Sequence, residues 1–327
     1  MNQPLVSVIM PAYNAGEYIS DAINSVLGQS YENLEIIVID DCSTDNTKEV
    51  LESYNDKRLF YSKNERNEGI VKSLNRGLEF SRGMYIARMD ADDICHKDRI
   101  MCQLQFLEAH PELDMVSINP IIMDENGTKL HKSRHFILTS PLALKFASHF
   151  ESPFTHPACL FKAETLKELQ YGGGEDCLHI EDYDLWWRMY DRGCLMANIN
   201  EPLFYYRVHQ NSVSNASKTI QHNNAVKLSE KRIEKLLGIV GHFDNPAKRV
   251  LILQKCFKKF SNIYYLSDID IREIKIWIGK YVLKYVLEEM TLNKVSFFSL
   301  ELLKSSAFFL VCIFHFLLYE TKSAIKK

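Results

Sequence analysis

Three carboxylates, Asp90, Asp92 and Asp93, stand directly after the apolar run Tyr85 to Met89. A short apolar run bounded in this way reads as a buried strand, so the carboxylates fall where the strand ends and a cleft opens. Carboxylates this close repel one another unless a cation joins them, and a hard divalent ion such as Mg²⁺ or Mn²⁺ suits oxygen ligands. A site that offers so few carboxylates ordinarily lets a substrate phosphate complete the shell. An isolated Asp-x-Asp is more often a solvated acidic turn, so the segments around it decide.

Upstream of that turn, strand-like and helix-like runs alternate. Val6 to Met10 is an apolar run ending at Pro11, and Ile19, Ile23, Val26 and Leu27 then recur at helical spacing. Leu34 to Ile39 reads as a second buried strand, with Ser43, Thr44 and Asp45 as candidate N-caps for a helix carrying Val50 and Leu51. Leu59 to Tyr61 is a third strand; Gly69 opens a helix bearing Ile70, Val71, Leu74 and Leu78, and Gly83 stops it before Tyr85. Repeated β-α units imply parallel strands joined by right-handed crossovers. Ligands of such sheets bind beyond the carboxyl ends of the strands. Pro11 to Asn14, Asp40 and Asp41, Asn64 to Asn67 and Asp90 to Asp93 all fall there, and four polar clusters at one edge make a single site.

The pattern changes after Asp93. Met115 to Met123 reads as a strand, Asn126-Gly127 as a tight hairpin turn, and Ser152 to Ala158 as an irregular, proline-broken segment. Glu181 to Arg192 reads as a helix with Leu185, Trp186, Met189 and Tyr190 on one face and Gly193 as its cap. After Asn215 helical periodicity dominates, which predicts two domains, residues 1–215 and a helical C-terminal extension, residues 216–327.

With 327 residues, 46% hydrophobic and 25% charged, the chain has an ordinary globular composition, which disfavours disorder. Eight cysteines lie scattered without a Cys-x-x-Cys pair, which argues against a zinc site and a disulfide framework. The N-terminus lacks a basic segment followed by a long apolar one, so a cytoplasmic location is expected. The net charge of −3 hides a polarity: Ala247 to Lys327 carries 14 Lys and Arg against 7 Asp and Glu. The acidic remainder disfavours nucleic acid as a partner, while the basic half suits peripheral contact with an anionic membrane face. Ser305 to Tyr319, 15 residues without Asp, Glu, Lys or Arg, is too short to span a bilayer. It fits either an interfacial helix or a core or dimer helix.

Six segments carry a resemblance. They are Val6-Ser-Val-Ile-Met-Pro-Ala-Tyr-Asn14, Ile37-Val-Ile-Asp-Asp-Cys-Ser-Thr-Asp45, Asn67-Glu-Gly69 with Asn75-Arg-Gly77, Ala87-Arg-Met-Asp-Ala-Asp-Asp93, Glu181-Asp-Tyr-Asp-Leu-Trp186, and Tyr206-Arg-Val-His209. In this order, over residues 5 to about 215, they resemble the family 2 glycosyltransferases, an inverting group. The resemblance implies the A-type glycosyltransferase fold, a Rossmann-like α/β domain with a mostly parallel central sheet. It further implies transfer of a sugar from a nucleotide-diphosphate donor to a hydroxyl of a glycan or lipid-linked acceptor, in cell-surface polysaccharide synthesis.

The resemblance also implies roles. Tyr13 would stack on the base, with the backbone at Pro11 and the Asp41 carboxylate on its polar edge. An acceptor-only carboxylate suits the N3–H of uracil, which favours UDP. Asn75 would lie on the phosphate side, unless it belongs to a solvated helix face. Asp92 would ligate Mg²⁺ or Mn²⁺ directly, with Asp90 at the metal or the ribose, Asp93 as an outer partner, and His209 closing over the diphosphate beside the metal. Asp182 would be the base, and Glu181 would position the acceptor or cap its helix. His156 would line the acceptor side, where Trp186 would offer a stacking face or else belong to the core. Two other readings compete: a catalytically silent nucleotide-sugar-binding scaffold of an envelope assembly complex, and a sugar nucleotidyltransferase. The latter lacks a basic glycine loop for a triphosphate. No G-x-x-x-x-G-K-[ST] is present, and Gly172-Gly-Gly174 does not match the dinucleotide fingerprint, so hydride transfer is disfavoured.

Overall fold

The structure, a computed structural model, describes residues 3–131, 137–172, 177–209, 217–239, 246–291 and 311–312. The elements run in chain order Val6–Ala12 (β1), Ile19–Leu27 (α1), Leu34–Asp40 (β2), Thr47–Glu52 (α2), Leu59–Lys63 (β3), Ile70–Phe80 (α3) and Tyr85–Arg88 (β4). Ile94–Cys95 (β5), Arg99–Ala109 (α4), Met115–Met123 (β6), Lys129–His131 (β7) and Pro141–Ala147 (α5) follow. Then come Leu160–Lys162 (β8), Ala163–Leu169 (α6), Glu181–Asp191 (α7), Met196–Arg207 (β9), Lys218–Leu237 (α8), Pro246–Ile263 (α9) and Asp268–Thr291 (α10). Two compact units result: Met1–Ile137 with Phe154–Gln221, and Leu138–Pro153 with His222–Lys327.

The first unit is built on a sheet ordered β3-β2-β1-β4-β8-β6-β9-β5, with β7 beside β6. The β3-β2-β1-β4 half is parallel throughout, as the β-α repeats require. Beyond β4 the sheet is mixed, since β8 runs antiparallel to both β4 and β6 while β6 and β9 are parallel. Strand β2 is buried along its whole length and β1 at every position but Pro11. Both are mostly apolar, with Ser7 and Glu35 as buried exceptions that hydrogen-bond to each other, as suits strands covered on both faces. Ile19, Ile23 and Val26 of α1 join Val8, Met10, Ile36 and Val38 in one core. Asp124 to Thr128 closes the β6–β7 hairpin, with Gly127 at φ 81°, a conformation glycine adopts without steric cost.

Helix α3 packs closely on β1 at Gly77, the second glycine of Asn67-Glu-Gly69…Gly77. A Cβ on Gly77 would stand 2.5 Å from Ile9 Cγ2 on β1. Gly77→Ala is therefore expected to destabilise the fold by about 1–3 kcal/mol through overpacking. The midpoint of urea unfolding measures this, and an unchanged midpoint would show that α3 can step back without cost.

The second unit is helical. Phe146 of α5 packs edge-on against Phe257, Phe260 and Trp277, and Glu273 accepts from the Thr139 and Ser140 backbone N–H groups at 2.9 Å. Residues 138–153 thus belong with the C-terminal helices, a discontinuity that the sequence reading, with its single boundary near 215–220, does not contain. Their apolar partners lie more than 100 positions away, beyond the reach of any local pattern. Among the described residues no helix is long and apolar enough to cross a membrane. Of the Ser305 to Tyr319 stretch only Val311 and Cys312 are among the described residues.

Candidate active site

The loops after β1, β2 and β3 are tied into one surface at the carboxyl edge of the sheet. The Asn14 N–H donates to Ser43 Oγ, Ala15 N–H to Thr47 Oγ1 and Gly16 N–H to Asp45 Oδ2, each at 2.9 Å. Asn14 and Cys42 take positive φ values of 48° and 65°, a conformation that L residues hold only where surrounding structure imposes it. Asp41 is buried; its Oδ1 accepts from Asn64 Nδ2 at 2.7 Å and Glu68 N–H at 2.8 Å, and its Oδ2 from Gly69 N–H at 2.8 Å. Asp40 accepts from Ser43 N–H and Tyr61 OH and pairs with Lys63. Both carboxylates therefore shape the loops, and Tyr13, 52% exposed, stands open beside the half-buried Pro11.

The acidic turn after β4 is held from two sides. On one, Arg88 ion-pairs with Asp90. On the other, the end of β9 is stapled to it: Arg207 N–H donates to Asp93 Oδ1 at 2.8 Å and Arg207 Nε to the Asp92 carbonyl at 2.7 Å. The Arg207 guanidinium also lies 4.6 Å over the Tyr18 ring, and this staple carries His209 Nε2 to 2.9 Å from Asp92 Oδ2. Asp90, Asp92 and Asp93 each present an oxygen within 4.8 Å of the others. Burial raises Asp90 and, further, Asp93; Asp92 adds to both, while Arg88 draws both down.

Those residues fit a divalent cation. The donors are three carboxylate oxygens, which suit Mg²⁺ or Mn²⁺, with the His209 imidazole beside Asp92. Asp93 Oδ2 is buried without a hydrogen-bond partner among the described residues, which leaves acceptor capacity on a member of the cluster.

Helix α7 brings the remaining carboxylates. Burial first, then the neighbouring Glu181, push Asp182 up to about 7, while its Oδ1 accepts from the Tyr183 N–H at 2.7 Å. Burial also raises Glu181, with Arg88 pulling it down and Asp90 pushing it up. The two acidic groups at opposite ends of the fold's motif order thus share one electrostatic environment. A carboxyl whose pKa is raised in this way can accept a proton from a hydroxyl, and a carboxylate cluster of this kind can hold a cation beside a diphosphate.

Three residues named from the sequence are committed elsewhere. The Asn75 amide is spent on the Tyr171 backbone, donating to its carbonyl at 3.0 Å and accepting from its N–H at 2.9 Å, so its own side chain is not turned to phosphate. Trp186 is fully buried, stacked on Phe161 and packed edge-on against Phe154 and His156, and its stacking faces are filled by protein. His156 is buried with Nε2 at 2.9 Å from Tyr171 OH, and burial, then Arg88, hold it well below the usual imidazole range. Its imidazole is committed to the Tyr171 hydroxyl. Arg88 and Tyr171 escape the sequence reading: nothing marks Tyr171, whereas an arginine inside an apolar strand run signals a buried cation that must be paired.

An α/β domain with this sheet order and an acidic cluster at its carboxyl edge has the A-type glycosyltransferase fold. The comparisons agree: residues 7–169 match Glycosyl transferase family 2. The chain is 33% identical over 306 residues to an uncharacterized glycosyltransferase of Haemophilus influenzae, covering 90% of this chain and 94% of that protein. The chain belongs to glycosyl transferase family 2. It is also 29% identical to the Escherichia coli UDP-Glc:alpha-D-GlcNAc-diphosphoundecaprenol beta-1,3-glucosyltransferase WfaP, over 68% of this chain and 80% of that protein. Among solved structures, S. aureus TarS 1-349 in complex with UDP-GlcNAc superposes with a TM-score of 0.58 at 18% identity, covering 86% of this chain and 81% of that one.

Proposed function

We propose that this glycosyltransferase moves a sugar, with inversion, from a UDP-sugar to a hydroxyl of a glycan or lipid-linked acceptor in cell-surface polysaccharide synthesis. The observation that carries it is the acidic turn itself: Asp90, Asp92 and Asp93 present oxygens within 4.8 Å of one another, with His209 Nε2 at 2.9 Å from Asp92 Oδ2. The donor and acceptor classes are supported by the printed activity of the WfaP relative and by the ligand of the TarS structure.

In this reading Tyr13 stacks on the base, while the Pro11 backbone and Asp41 face its polar edge. Asp41 Oδ2 accepts one hydrogen bond in the protein, and a carboxylate oxygen can accept a second. Asp92, Asp90 and His209 would hold a divalent cation. Such an ion, when bound, supplies Lewis-acid stabilisation of charge developing on a diphosphate. Asp182 takes the proton of the acceptor hydroxyl as that oxygen attacks the anomeric carbon from the face opposite the leaving group. Arg207 keeps the acidic turn and His209 in register through its bonds to Asp92 and Asp93. One displacement without a covalent intermediate converts an α-linked donor into a β-linked product. The basic C-terminal half suits peripheral contact with the inner membrane face, which co-sedimentation with anionic vesicles reports.

The test is a screen of sugar release from UDP-, GDP- and dTDP-linked sugars with Mn²⁺. Release from at least one UDP-sugar is the expected result. Release confined to GDP- or dTDP-sugars would overturn the uridine assignment, and no release or transfer with any donor would favour a silent nucleotide-sugar-binding protein.

A further inference from the structure

Helices α9 and α10 meet in a short turn that is tightly bonded. Ser267 N–H and Oγ donate to Asp270 Oδ2 at 2.8 and 2.6 Å, and Asp270 N–H donates back to Ser267 Oγ at 3.2 Å, a reciprocal cap on the start of α10. The other Asp270 oxygen accepts from Ser140 Oγ, which ties the turn to α5. Tyr264 is turned inward, its ring centroid 4.5 Å from that of Phe260 and the Lys145 ammonium 4.8 Å over it. Three large apolar neighbours are turned outward instead: Ile263 is 53% exposed, Tyr265 96% and Ile269 64%. They fall within seven residues around one interhelical turn, so they form a single apolar tip. The cap would hold small polar residues equally well, and exposed apolar side chains gathered in one place mark an interaction site.

The charge beside that tip restricts what covers it. Helix α9, Pro246–Ile263, carries five Lys and Arg and no Asp or Glu. Three of the five, Lys255, Lys258 and Lys259, are exposed. With about 3.6 residues per turn they share one side of α9 with Ile263. The exposed acid of the tip, Asp268, has exposed Arg272 one turn further along α10. A second copy of this chain would bring a like-charged helix to the same patch. An anionic lipid surface attracts the lysines, receives isoleucines at its acyl boundary and seats a tyrosine at headgroup level. We propose that residues 263–269 insert into an anionic lipid surface, with Lys255, Lys258 and Lys259 against its phosphates. The inference deepens the membrane contact proposed above and rests on that reading, not on the choice of donor.

The experiment sediments the full chain with vesicles of phosphatidylcholine alone and of phosphatidylcholine mixed with phosphatidylglycerol. Wild type is compared with Ile263→Ser, Tyr265→Ser and Ile269→Ser combined, and with Lys255→Gln, Lys258→Gln and Lys259→Gln combined. Wild type should partition onto the anionic vesicles about tenfold or more better than onto neutral ones, and each triple variant should lose about tenfold or more of that binding. An unchanged urea midpoint shows that the variants are folded. Should a triple variant fail to fold, Tyr265→Trp carries the test, because all three native tryptophans are buried. Its emission should be quenched by brominated acyl chains, and emission untouched by them overturns the proposal. Equal binding to neutral and anionic vesicles also overturns it. A wild-type dimer that the apolar triple variant turns into a monomer overturns it in favour of a second copy. Wild type that stays in the supernatant sinks the membrane contact and this inference together, whereas binding that survives the apolar substitutions sinks the inference alone. Neither result touches the UDP-sugar assignment, which the release screen reports.

Discussion

Asp182→Asn is expected to lower sugar transfer by about 10²- to 10⁴-fold, the usual contribution of a positioned general base. Asn keeps the shape, and the half-buried position on the first turn of α7 keeps its backbone, so nucleotide affinity should be retained. The pH profile gives a second, independent readout. Burial and Glu181 raise the Asp182 carboxyl to about 7, so in wild type the proton-accepting form is scarce below that pH. The rate should rise about tenfold per pH unit on the acid side and level off above about 7, as for any essential base. Glu181→Gln removes the neighbouring negative charge and should move that limb to lower pH. Transfer by Asp182→Asn at the wild-type rate, or an acid limb that is still present in the variant, would remove Asp182 as the base.

Asp92→Asn is expected to lower turnover by about 10²- to 10³-fold at fixed Mn²⁺, equivalent to about 3–4 kcal/mol of lost charge stabilisation. Its half-saturating Mn²⁺ concentration should rise as well, because one of the cluster's carboxylates then carries no charge. The structure adds a control. His209 Nε2 sits 2.9 Å from Asp92 Oδ2 and the Asp92 carbonyl is held separately by Arg207, so the substitution leaves the staple in place and the fold should persist. Chelation should abolish wild-type activity, with Mn²⁺ or Mg²⁺ restoring it. Full turnover after exhaustive chelation would mean that the acidic cluster serves the loop alone and that the diphosphate is stabilised by other groups.

What could be read from the chain was local. The mostly apolar runs of β1 and β2, the helical spacing of Ile19, Ile23 and Val26, and the glycine-opened α3 all announce themselves within about ten residues. Their alternation implies parallel strands, which places Asp41, Asp90 and Asp92 at one edge, whereas the order β3-β2-β1-β4 comes from the tertiary structure. The twelve-residue β9 was less legible, since Glu201 and Pro202 interrupt it, and only its Arg207-Val-His209 end stood out.

Tertiary structure decided how each side chain spends its bonding capacity. An asparagine amide has the same donors and acceptors whether it faces a phosphate or a backbone, and only the fold, by bringing Tyr171 within reach across 96 positions, commits Asn75 to the latter. Trp186 likewise has faces fit for a sugar until Phe154, Phe161 and His156 close on them. The same holds for Arg88: its sequence position says that a charge is buried, and the fold says that Asp90 is the carboxylate paired with it. Residue types and their local periodicity therefore determined the family of chemistry and the sheet edge that hosts it. Burial and long-range partners, which no local pattern encodes, determined which of the candidate groups remain available to a ligand.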